Sequence, residues 1–106
     1  MTWEVAVRVT FVQSGGVVGV PRECELDSSQ LPRNEARELE SLVTDSEFVA
    51  SGVHRSPGGR DLRLYEIRVE NGARTVSVTF DDLTLPARAR PLVGFLRRKA
   101  RPRGGA

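Results

Sequence analysis

One cysteine and one histidine are all that the chain holds of the side chains most used for zinc binding and covalent catalysis. A lone Cys24 cannot close an internal disulfide, and a reducing, cytoplasmic setting is expected. A lone His54 excludes a two-histidine zinc site, and one of each does not meet the common Cys/His ligand spacings. Aromatic residues make up 6 % of the chain, and none follows Phe95, so a basic end has nothing on which to stack bases. No run of about 18 apolar residues is present to cross a membrane. The start, MTWEVAVRV, alternates instead of joining a basic flank to an apolar core, so no signal peptide is expected.

Acidic charge is also absent beyond Asp82. Residues 1–87 hold nine basic and fourteen acidic side chains, a net of −5, whereas residues 88–106 carry +7, giving the overall +2. Such an end can bind an anion. A solvated helix face followed by a frayed RPRGGA tail explains it more simply. The expected organisation is one domain over 1–100 and a disordered basic tail over 101–106.

What is present is strand-like alternation broken by clear turn signals. In WEVAVRVTFVQ (3–13), Trp3, Val5, Val7, Val9 and Phe11 share one face. VPRECEL (20–26) places Val20, Cys24 and Leu26 in phase, which makes Cys24 a small core residue rather than a nucleophile. Between them lies SGGVVG, apolar where a hairpin connection should be polar. Asp27, Ser28 and Ser29 offer caps and Pro32 suits a first turn, so a helix is expected over 32–46 on Ala36, Leu39, Leu42 and Val43, with Phe48 packing beyond its end. Gly52, Pro57, Gly58 and Gly59 make 49–61 a long loop. YEIRVE-NG-ARTVSVTF is a hairpin signal, with Asn71-Gly72 as a two-residue turn pairing Val69 with Arg74, Ile67 with Val76 and Tyr65 with Val78. After DDLTLP, Pro91 opens a last helix on Leu92, Phe95 and Leu96. The expected fold is α+β, ββαββα, a four-stranded antiparallel sheet with both helices on one face.

Following chain direction through these elements gathers 14–19, 49–61 and 81–86 at one end of the sheet, opposite the Asn-Gly turn. That end is the candidate site, because binding residues concentrate on loops carried by a rigid scaffold. SGGVVGV lacks both a following Lys-Ser/Thr pair and a following helix, which rules out a phosphate loop and a dinucleotide fingerprint. Asp81 and Asp82 are neighbours that should point differently, suited to capping or solvation rather than acid–base work. No cofactor and no metal of the chain's own is expected, and convergent catalytic groups are missing, so an enzyme is disfavoured.

The order of motifs resembles the emfourin family, small bacterial protein inhibitors of thermolysin-like, protealysin-type zinc metallopeptidases. The matching pieces are SGGVVGVP (14–21), LDSSQLPRNEARELESLV (26–43), Phe48, the D-x-x-x-Y step from Asp61 to Tyr65, the YEIRVENG hairpin and LPARARPLVGFLRR (85–98). Where the family often has a bulky aromatic after the double glycine, this chain has Val17. The resemblance implies a zinc-directed carboxylate at Asp61, with Asp81 or Asp82 in reserve. It also implies Val17, Val18 and Val20 as apolar anchors on a loop shaped by Gly15, Gly16 and Gly19. The implied partner is a thermolysin-like metallopeptidase, met by a monomer without membrane or nucleic acid. Two other readings stay open: a protein-interaction adaptor using the same loops, and an anion or nucleic-acid binder through Arg88, Arg90, Arg97, Arg98, Lys99, Arg101 and Arg103.

Overall fold

The computed structural model describes residues 6–16, 19–58 and 61–103. Trp3 and Val5 lie outside these, as do Val17 and Val18. Strand β1 is Val7–Gly15, followed by β2 at Arg22–Asp27. Asp27 caps a short 3-10 turn, Ser28–Gln30, by accepting the N–H of Ser29 at 2.9 Å, so the expected cap serves this turn and not the helix. Helix α1, Arg33–Ser46, begins after Pro32 and stops at Glu47, which adopts left-handed backbone at φ 56°. Then come β3 (Gly52–His54), β4 (Arg63–Asn71), β5 (Arg74–Asp81), α2 (Arg90–Lys99, with Pro91 in its first turn) and β6 (Arg101–Pro102).

The sheet has six strands in the order β3-β5-β4-β1-β2-β6, two more than the four expected, within the same α+β class. The four expected strands pair antiparallel, whereas β3 lies parallel to β5. β3 was hidden inside the presumed 49–61 loop because three residues are too few to show a period of two. β6 falls where the tail was expected to be disordered. Arg101 and Pro102 pair with Glu23 and Arg22, and the Arg103 N–H donates to the Pro21 carbonyl at 2.7 Å.

The hairpin register also differs. Asn71 pairs with Arg74, Val69 with Val76, Ile67 with Val78 and Tyr65 with Phe80, so the turn is Gly72-Ala73 and not Asn71-Gly72. Gly72 has φ 64°, the positive value that a type II′ turn needs at its first central position. Both registers place the same side chains on one face, and phase therefore could not separate them.

That face is the core. Val7, Val9 and Phe11 of β1, Tyr65, Ile67 and Val69 of β4, and Val76, Val78 and Phe80 of β5 meet Leu39 of α1 and Leu92, Val93, Phe95 and Leu96 of α2. Each fully buried Leu, Ile or Phe contributes about 1.5–3 kcal/mol. Cys24 and Leu26 pack at its margin, and Phe48 stacks on Phe80 with ring centroids 5.7 Å apart. Both helices thus cover one face, while the other presents Arg8, Glu66 and Arg68 to solvent.

Candidate functional site

Three strands end together. Gly15 of β1 pairs with Arg63 of β4, and Leu64 of β4 pairs with Asp81 of β5. Neighbouring strands lie about 4.8 Å apart, so the β1–β2 loop, the segment leading into β4 and the turn after β5 share one edge roughly 10 Å across. The β1–β2 loop, the residues between β3 and β4 and the turn after β5 gather as chain direction required, with the Gly72-Ala73 turn at the opposite end. The first part of the expected 49–61 loop instead runs along β5 from that far end, where the Val49 carbonyl accepts from Arg74.

Asp81 organises this edge from within. Only 3 % exposed, it accepts the N–H groups of Ser56, Leu83 and Thr84 and the hydroxyl of Ser56. The Thr84 hydroxyl accepts the Asp81 N–H and donates to the His54 carbonyl, closing the turn onto the end of β3. Hydrogen bonding from Ser56 opposes burial and brings the Asp81 carboxyl down to about 2.

Asp82 points the other way. Its Oδ2 accepts the Arg63 N–H at 2.8 Å and Nε at 3.3 Å, and its Oδ1 accepts the Tyr65 hydroxyl at 2.5 Å. Burial pushes this carboxyl up, but the Tyr65 and Arg63 hydrogen bonds outweigh it and leave it below its usual value. The Tyr65 phenol is raised, first by burial and then by donating to Asp82. The neighbours diverge as their adjacency implied, and each is held by groups of the chain itself.

Asp61 differs from both. It is exposed at a bend two residues before β4, and no hydrogen bond or ion pair joins it to another described residue. Val20, expected in phase within a strand, lies before β2 and is 58 % exposed. Gly15 and Gly16 hold φ 77° and 79°, which side-chain-bearing residues rarely adopt, and a Cβ on Gly15 would meet the Leu62 carbonyl oxygen at 2.8 Å. Around Gly19 there is open space.

The residue that sequence reasoning missed is Leu83, 73 % exposed on the turn that Asp81 holds. The available signal was D-D-L-T: an aspartate and a threonine closing a turn around a leucine, which then cannot reach the core.

The Cys24 thiol donates to the Leu96 carbonyl at 3.6 Å, and burial pushes it up to about 11, too high for a thiolate nucleophile. His54 is exposed and stacks on Phe80 with centroids 5.2 Å apart. Among the described residues no cluster of three His, Cys, Asp or Glu could hold a metal ion.

The family model of Emfourin matches residues 11–97, most of the chain and all of this edge. The chain belongs to the emfourin family. Among curated proteins and among solved structures, none matches it. Emfourin membership implies inhibition of metallopeptidases, and the edge built by Gly15, Asp61 and the Asp81–Thr84 turn lies wholly within the matched emfourin span. No helix of the described emfourin residues is long and apolar enough to cross a membrane.

Proposed function

We propose that this emfourin inhibits a thermolysin-like, protealysin-type zinc metallopeptidase by seating its loop edge in the active-site cleft, with the Asp61 carboxylate directed at the target's zinc. The carrying observation is the family match over a span in which the three loops converge, with Asp61 the carboxylate that the edge leaves exposed. Asp81 and Asp82 already accept hydrogen bonds from Ser56, Thr84, Arg63 and Tyr65, so turning either outward would strand those donors.

A peptidase zinc keeps one coordination position for the water that attacks the scissile bond. A carboxylate oxygen placed there at about 2.0–2.2 Å displaces that water and leaves no nucleophile. The chain contributes no catalysis and needs no metal or cofactor of its own. Val20 and Leu83, with Val17 and Val18 from the same loop, occupy side-chain pockets beside the metal. A rigid mount matters because ordering a loop on binding costs affinity. Gly15 set against Leu62, and the turn gripped by Asp81, supply that mount. A standard complex buries about 800 Å² on each partner, within the reach of three loops.

Titration of the purified protein against several thermolysin-like peptidases with a short peptide substrate tests this. Loss of activity at stoichiometric inhibitor is expected, and no inhibition at micromolar concentration would overturn it. Asp61→Ala should weaken inhibition by about 100-fold while shifting the melting temperature by less than about 2 °C, because an exposed side chain contributes little to the fold.

A further inference from the structure

Along β1 and β2 the apolar face of the sheet stops before its loop end, although in the same row Tyr65 of β4 and Phe80 of β5 stay buried. Val9 pairs with Leu26 and Phe11 with Cys24, but the next pair on that face is Gln13 with Arg22. Gln13 and Arg22 there line two hollows. One, an open hollow of about 530 Å³, is bounded by Gly94, Arg97, Arg98 and Ala100 of α2 and its end. The other, of about 350 Å³, is flanked by Gly15, Gly16, Val20 and Arg63. Together they form a trench that runs from the last turns of α2 to the glycine loop, with arginines along it and no acidic residue lining either hollow.

The state of each arginine sharpens this. Lys99 pairs with Glu35, Arg103 with Glu23 and Arg88 with Glu47, three of the seven cations of the basic C-terminal segment, and in the trench itself Arg63 pairs with Asp82. Among the described residues no carboxylate lies within ion-pairing reach of Arg22, Arg97 or Arg98. Arg22 is oriented by donating to the Ala100 carbonyl at 3.2 Å, and the Arg98 guanidinium lies 5.7 Å from the centre of the Phe95 ring. The negative end of α2 accounts for cations in its last turn, but not for Arg22 facing them from β2.

We infer that this trench is an anion-recognition surface that receives acidic side chains of the target peptidase beside its cleft. The inference rests on the inhibitor reading and adds the charge of the partner. Guanidinium groups bind carboxylates in a bidentate fork, and Gln13 adds an amide donor. The trench opens at Gly15 and Gly16, so an acidic rim flanking the bound loop meets it without rearrangement. Nucleic acid fits less well, since neither hollow is lined by an aromatic residue. Charges so placed act mainly on the rate of encounter and are weakened by salt.

The test is the association rate of inhibitor and peptidase, followed by progress curves between about 20 and 300 mM salt. Arg97→Ala/Arg98→Ala is compared with Arg33→Ala/Arg37→Ala, an equal charge change on the exposed part of α1. The trench variant should associate about tenfold more slowly at low salt and with a flatter salt dependence, while the α1 variant follows the parent. Equal rates for the two variants would overturn the trench and leave the inhibitor reading standing. Absence of inhibition by the parent would remove both. Tight binding of a labelled 20-mer oligonucleotide at physiological salt, lost in the trench variant while inhibition is unchanged, would reassign the surface to phosphate.

Discussion

The Asp81 carboxylate accepts the Ser56 backbone N–H at 2.5 Å across 25 positions of chain, and so joins the end of β5 to the segment after β3. With the Leu83 and Thr84 N–H groups on its other oxygen, one side chain holds two of the three segments of the binding edge. The exposed residues on that edge are thereby mounted on something stiff, which lowers the ordering cost of binding.

Acid should loosen this mount. The Asp81 carboxyl lies at about 2 in the fold against an ordinary 3.8, so the native state favours its ionised form. That contribution is present above about pH 4 and is lost as pH falls through 2. Asp81→Asn should lower the melting temperature by about 5 °C or more at neutral pH. The gap from the parent protein should narrow as pH falls from 4 towards 2, read by thermal melts across that range. A gap that stays constant would show that the charge of Asp81 is not what holds the turn.

Gly15 and Gly19 should separate cleanly. Gly15→Ala forces a side chain into φ 77° and a 2.8 Å approach to the Leu62 carbonyl, with a cost of about 1–3 kcal/mol. Gly19→Ala enters open space and should stay within about 0.5 kcal/mol of the parent protein. Urea denaturation of both variants decides this, and equal stabilities would disprove the close approach of β1 to Leu62.

Leu83 contributes little to folding because it is largely exposed, so its weight should appear in binding. Leu83→Ala should weaken inhibition about 10- to 30-fold, the range of a modest interface hot spot, with an unchanged melting temperature. An unaltered inhibition constant would remove Leu83 from the contact surface.

The alternating residues of β1, β4 and β5 determined which face is buried, and the helical spacing of Leu39, Leu42 and Val43 determined what covers it, because both periods follow from local backbone geometry. Counting reversals of direction was then enough to bring the glycine loop, the segment before β4 and the DDLT turn to one edge. Register was beyond that logic, since sliding the hairpin from Val69–Arg74 to Val69–Val76 returns every side chain to the same face. β3 and β6 were beyond it too: strands of three and two residues exist because a neighbour supplies their hydrogen bonds, not because of their own pattern. The same limit divided the carboxylates. Asp61, Asp81 and Asp82 are alike as sequence, and only the backbone and hydroxyl donors that packing brings beside two of them decide that Asp81 and Asp82 hold the edge together while Asp61 faces outward.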